Sequence, residues 1–416
     1  MRLKDLPLRF TALTAAGLIA LPGALLLLFP RPAASGLDRL LPYAALLQSF
    51  VAQPTKAPPA LWQQRLGLAE GARLWRGQRR LWWQFWGPHG DAGAYLVFPA
   101  APSQPLPADA LRVDDLVVVA PSPLARQLLQ EQLKLRRRAP RGLDQRCSLS
   151  LLQREAVHWN GVALAQMLGP LSPLALSLQQ GCFILRSEGT SLLWQGEADS
   201  SVDALQEAPS PLAVPDPLSE LPPQALLELR GSRLEVLLRG LLSTALLRDA
   251  LAQRYGLGAE QVRQLQAAAF VLQLRGESKG PYRAGLDLLV RLPGERRLWD
   301  RWLVDLSRSL VDQGLSSAQP GLGITLWSRE DGAAVGGWRW LASNQLLLFL
   351  GPSPQRVPAL APLSSDRWQL LLQPSTLQTK GLLPEGLPLV VKRAQVLQLQ
   401  GRGAGQSALA GRLELR

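Results

Sequence analysis

Arg73 to Trp86 (RLWRGQRRLWWQFW) interleaves Arg73, Arg76, Arg79 and Arg80 with Trp75, Trp82, Trp83 and Trp86. Arginine pairs with phosphate or carboxylate and stacks on aromatic faces, and tryptophan favours a membrane interface or a sugar face. This stretch is therefore the leading candidate binding surface. The same alternation fits a plain hairpin strand covered on both sides, with Trp82, Gln84 and Trp86 facing one way and Trp83 and Phe85 the other. A second basic group, Lys134, Arg136, Arg137, Arg138, Arg141 and Arg146, reads as a solvated charge run or as a docking surface for headgroups or a partner. Cys147 and Cys182 open two expected strands, and in an oxidising compartment they suit a disulfide. The alternative is a pair of buried thiols packed as small hydrophobes.

The remaining chemistry is thin. His89 (GPHGD) and His158 (EAVHWNG) are the two histidines, and neither has Cys, His or Glu neighbours at metal-ligand spacing. There is no GxSxG, HExxH or phosphate-loop motif, and Gly401 to Gly405 (GRGAG) falls between two strands of a terminal hairpin, as a turn would. No catalytic, cofactor-binding or metal-ligating residue is assigned, and no cofactor is expected.

These residues sit in a chain of 416 residues, long enough for two or three domains. Hydrophobic residues make up 47% and charged residues 19%, which is ordinary globular usage. A mean hydropathy of +0.04 with one long apolar run excludes a multi-span transporter. The net charge is +13, carried almost wholly by arginine. That balance favours anionic lipid, an acidic envelope partner or another polyanion, although a GC-rich genome produces the same Arg-over-Lys usage. Nucleic acid is not expected as a partner, because no DNA-binding or RNA-binding motif is present.

Phe10 to Phe29 (FTALTAAGLIALPGALLLLF) carries no charge and is long enough to cross a bilayer. Arg2, Lys4 and Arg9 before it, against Arg31 and Arg39 after it, place the N-terminus in the cytoplasm. The expectation is a single-pass signal anchor with the body exported to a periplasm or lumen. Ala33-Ala34-Ser35 offers the competing reading of a cleaved signal peptide. No cysteine follows the run to take a lipid anchor.

Pro-rich stretches at 30–59, 99–107 and 209–223 punctuate the chain. They give a cytoplasmic N-terminus (1–9), a transmembrane anchor (10–29), a tether (30–60), a first lobe (61–205), a linker (206–223) and a second lobe (224–416). An internal repeat organises the lobes. LVVVAPSP at Leu116 recurs as LLFLGPSP at Leu347, the first followed by a helix over 124–135 with Ser122 as its N-cap. LSLLQ at Leu149, LLELRG at Leu226 and WQLLLQ at Trp368 each read as a strand followed by a helical or looped stretch and a hairpin. Two of those hairpins share VLQL, from Val271 and from Val396. Further helices are expected over 233–255 and 295–311. The fold class expected is α+β: an N-terminal transmembrane helix, then two related lobes of largely antiparallel sheet with helices packed on one face, built from duplicated β-α-β-β units.

This organisation, with one N-terminal span, repeated strand and helix units and the LVVVAPSPLARQLL strand-to-helix turn, resembles an uncharacterised family of single-anchor cyanobacterial envelope proteins. The resemblance implies an exported, membrane-tethered body and assigns no chemistry. The function expected is a non-catalytic binding or scaffold module for another envelope component. The alternative is a carrier or binder of lipid or another amphipathic ligand, and an enzyme of unrecognised type is the third class.

Overall fold

The computed structural model describes residues 33–415 apart from 89–92, 102, 104, 108, 136–137, 169–179, 200–209, 217–224, 236, 239–244, 278–281, 322, 361–362, 364–365, 384–388 and 403–405. One β-α-β-β unit occurs four times. The first runs through β1 (Leu46–Val51), α1 (Ala60–Leu66), α2 (Leu68–Gly77), β2 (Leu81–Trp86) and β3 (Tyr95–Pro99). The hairpin of β4 (Ala110–Val113) and β5 (Leu116–Val119) follows, then α3 (Pro123–Lys134) and α4 (Gly142–Gln153). The second unit is β6 (Ala156–Trp159), α5 (Gly161–Leu168), β7 (Gln180–Glu188) and β8 (Ser191–Asp199). The third is β9 (Ala225–Gly231), α6 (Ala245–Tyr255), α7 (Ala259–Gln266), β10 (Ala269–Gly276) and β11 (Ala284–Arg291). After it come α8 (Arg296–Asp312), β12 (Ser316–Gly321), β13 (Ile324–Ser328), β14 (Ala334–Ala342) and β15 (Gln345–Leu350). The fourth unit is β16 (Arg367–Leu372), α9 (Pro374–Thr379), α10 (Leu389–Arg393), β17 (Val396–Arg402) and β18 (Gln406–Glu414).

All strands join one 18-stranded sheet. Every pairing is antiparallel. In the first half β4, β5, β3, β2, β1, β6, β7 and β8 lie side by side in that order. In the second half the order is β12, β13, β14, β15, β11, β10, β9, β16, β17 and β18. Each half thus sets two units back to back through their first strands, β1 against β6 and β9 against β16. The LVVVAPSP and LLFLGPSP segments fall on β5 and β15, which hold equivalent places in the two halves. The halves meet where β8 pairs with β18, Ser191 opposite Glu414 and Asp199 opposite Gln406. Because the paired strands are themselves equivalent and antiparallel, this seam is a local pseudo-two-fold.

The chain has to pass from β8 to β9 across β18, β17 and β16, and residues 210–216 lie over the sheet on that path. Gln195 Nε2 on β8 donates to Leu212 O at 2.8 Å and Gln400 Nε2 on β17 donates to Ala213 O at 2.6 Å. Leu212 packs into the shallow trough left by Ala408 and Ala410 on β18. Residues 210–216 of the expected Pro-rich linker therefore form a strap over the seam, with the Leu212 and Ala213 carbonyls satisfied by glutamine amides.

The helices follow from caps and apolar spacing. Ser122 Oγ accepts from Ala125 N at 3.2 Å, and Pro123 starts α3 where its missing N–H costs nothing. Trp299 and Leu303 of α8 are buried and Leu306 and Leu310 pack beside them, one apolar stripe on the second-half core. In the first half α1 and α2 cover one sheet face through Trp62, Leu74 and Trp75, while α3 and α4 cover the other through Leu129 and Leu151.

Four expectations are corrected. The α+β arrangement with an N-terminal transmembrane helix and two lobes gives way to one continuous antiparallel sheet, and helices cover both faces of its first half. No helix among the described residues is long and apolar enough to cross a membrane. That overturns the transmembrane, single-pass and signal-anchor reading and the localisation drawn from it, a cytoplasmic N-terminus with the body in a periplasm or lumen. The run at 10–29 lies outside the described residues. Leu149 to Gln153 ends α4 instead of forming a strand, and β6 takes that place in the unit. A five-residue apolar run carries too little periodicity to separate the two. The stretch expected as a tether contains β1, a strand paired on both sides.

Candidate functional site

The Arg/Trp segment spans α2, a turn and β2. Its two residue types part company there. Trp75 and Trp82 enter the core under α1 and α2, with Trp62 5.1 Å from Trp75 and Trp82 stacked 4.5 Å from Phe50. Trp83 points to the opposite face, where its Nε1 donates to Leu151 O at 2.9 Å. Trp75 Nε1 donates to Lys56 O at 2.9 Å. Trp86 is half-buried at the end of β2. The tryptophans thus serve as core on both sides of a strand, and the aromatic part of the expected surface does not form.

The arginines stay outside. Arg73, Arg79 and Arg80 line a cleft of about 510 Å³ with Gln78 and the wall Pro99, Ala100 and Ala101. Arg73 is held by Glu70, Nε to Oε2 at 2.8 Å, and this pairing keeps the Glu70 carboxyl below its usual range. Arg76 donates to Ala72 O of its own helix at 3.2 Å. Arg79 and Arg80 are exposed and make no ion pair with a described residue. The cleft therefore presents two free guanidinium groups and a third only partly neutralised, a geometry that accepts carboxylate or phosphate.

The second basic group is dispersed. Lys134 pairs with Glu131 in α3, and Arg146 forms a bidentate bridge to Glu197 with both contacts at 2.7 Å. Arg136 and Arg137 lie outside the described residues, as does His89. Cys147 on α4 and Cys182 on β7 have their sulfurs at bonding distance, their Cα atoms 5.5 Å apart, beside Leu143.

Sequence reasoning missed a cavity of about 290 Å³ lined by Asp38, Arg138, Asp144, His158, Asn160 and Gln180. Burial pushes the Asp144 carboxyl up and the His158 imidazole down to about 4. Ser148 Oγ donates to Asp38 Oδ1 at 2.5 Å, and Asn160 Oδ1 caps α5 by accepting from Ala163 N at 3.2 Å. Burial therefore favours the uncharged form of both groups, and no set of three metal-ligating side chains exists among the described residues. Nothing in the local sequence around His158 signals this cavity, since Asp38 and Asp144 reach it only through the fold.

No family model matches the chain, and no curated protein matches it. Among solved structures, crystal forms I and III of TP0453 are similar at 12% and 9% identity over 47% of this chain, covering 79% and 96% of that chain. The TM-score is 0.25 for each, too slight a likeness to bear on fold or function.

Proposed function

We propose that the protein is a non-catalytic binding module that engages an acidic partner through the arginine-lined cleft of its first half. The observation that supports this reading is the pair Arg79 and Arg80, exposed at the mouth of the cleft with no carboxylate of the described chain to neutralise them. A rigid frame stands behind them: the aromatic core of Trp62, Trp75 and Trp82 fixes the α2 to β2 turn that carries both side chains. The chain's net charge of +13 adds a long-range attraction for acidic partners.

The test is binding of a fluorescein-labelled polyglutamate peptide to the full chain, followed by anisotropy at rising salt. Arg79→Glu with Arg80→Glu should weaken binding by about tenfold or more, a loss of two charge-assisted contacts. Arg297→Glu with Arg329→Glu, an equal charge change placed on α8 and in the β13–β14 turn, should weaken it far less. Equal losses in the two proteins would mean that net charge alone attracts the peptide and would defeat the proposal.

A further inference from the structure

The sheet face that carries α8, α9 and α10 holds a row of leucines, one from each of eight neighbouring strands. Across the ladder Leu350 stands opposite Leu286, Leu286 opposite Leu274, Leu274 opposite Leu227, and Leu227 opposite Leu372. The row continues through Leu397 and Leu413 to Leu192. Its far end is packed: Leu413 is buried, and Leu397 and Leu192 lie against the same cluster. The near end differs. Leu286, Leu274, Leu227 and Leu372 are only half-buried and belong to no packed cluster of described residues, and Leu350 is 55% exposed. Five strands at about 4.8 Å spacing make this open strip roughly 19 Å long, the scale of one acyl chain.

Two cations flank the strip. Gly276 follows Leu274 on β10, and a Cβ placed there would lie 2.9 Å from Lys380 Cε, so the lysine stem crosses the strand end directly. A Cβ at the neighbouring Gly381 would lie 3.1 Å from Arg283 Nη1, which brings the guanidinium beside the lysine. Neither Arg283 nor Lys380 has an ion-pair partner among the described residues. An apolar floor with cations along one edge, beside Leu274 and Leu286, is complementary to a molecule with one long apolar tail and an anionic head that turns off the strip.

We infer that this strip is a binding site for a single-chain anionic amphiphile, its tail along Leu286, Leu274, Leu227 and Leu372 and its head at Arg283 and Lys380. The site lies in the other half of the sheet from the arginine cleft and does not depend on it.

The experiment is displacement of cis-parinarate from the purified full chain by oleate below its micellar concentration, with oleyl alcohol as the uncharged counterpart. Oleate should bind about tenfold more tightly than oleyl alcohol. Arg283→Glu with Lys380→Glu, a surface change, should erase that difference while leaving oleyl alcohol unaffected. Leu274→Asn and Leu286→Asn, checked for folding by circular dichroism, should weaken both ligands. Equal affinity for the two ligands in the unaltered protein would overturn the inference. So would oleate binding that survives both sets of variants, or association with phosphatidylglycerol vesicles in the absence of monomer binding.

Discussion

Trp194 on β8 stands directly opposite Gly411 on β18, and its indole fills the space that a Cβ at position 411 would need. At this pair the seam sets the largest side chain on one strand against the smallest residue on the other. Gly411→Val should force the indole out of place and cost about 1–3 kcal/mol, the usual penalty of overpacking. Urea denaturation gives the value. Trp194→Ala in the same chain should relieve part of the clash, so that the double variant loses less than the sum of the two single ones. Strict additivity would mean that the two residues do not share that space in solution.

Cys147 and Cys182 fasten α4 to β7 on the face opposite the leucine strip. Serine at both positions should lower stability by about 2–4 kcal/mol, chiefly by freeing a loop in the unfolded chain. Peptide mapping without reduction should recover one fragment containing both residues. Two titratable thiols in the purified native protein would show that the bond does not form.

The repeat was legible in the sequence because hairpins write a period of two into it: VLQLR at Val271 and VLQLQ at Val396 became β10 and β17, each the first strand of a hairpin. The first unit was not, since β1 lies in a Pro-rich stretch and β2 reads as an aromatic run instead of an LQL pattern. The single sheet was illegible for a different reason. Nothing local to Leu192 or Leu413 records that they will face each other, because pairing between distant strands is a tertiary decision. Of the candidate surface, the arginines were readable as polar side chains that must stay wet. The inward turn of Trp82 and Trp83 to opposite cores depended on having helices on both faces of the first half.

His158 is buried, with its Nδ1 lacking a hydrogen-bond partner among the described residues and its pKa pushed down to about 4 by desolvation. An unfolded histidine titrates near 6.5, so on acidification the unfolded chain takes the proton first. The neutral ring therefore costs nothing above pH 6.5 and destabilises the fold progressively as pH falls from there toward 4, by about 3 kcal/mol in total. His158→Gln removes the titrating group, so the difference in stability between the two proteins should be flat above pH 6.5 and shrink or reverse below it. Urea midpoints at pH 7.5, 6 and 5 test this, and parallel pH profiles would rule out a depressed histidine.

Arg275 and Asp287 form the most deeply buried ion pair among the described residues of the second half, Nε to Oδ2 at 2.5 Å, with Asp287 wholly enclosed. Arg275 also pairs with Glu277 and donates from Nη2 to Pro352 O at 2.9 Å. Burial raises the Asp287 carboxyl above its ordinary value even though Arg275 pulls it down. Removing the arginine leaves that carboxylate enclosed without its counter-charge, so Arg275→Met should cost about 3–5 kcal/mol at neutral pH. A carboxyl whose folded pKa is raised binds its proton more readily in the native state, and the variant should recover part of that loss as pH falls through the raised value. Adding Asp287→Asn to Arg275→Met should give the same recovery at neutral pH without acid, because the buried charge is gone. Denaturation at pH 7.5 and 5 separates the two explanations of any loss. A deficit that neither acid nor the asparagine relieves would trace to lost packing of the arginine stem and not to the stranded charge.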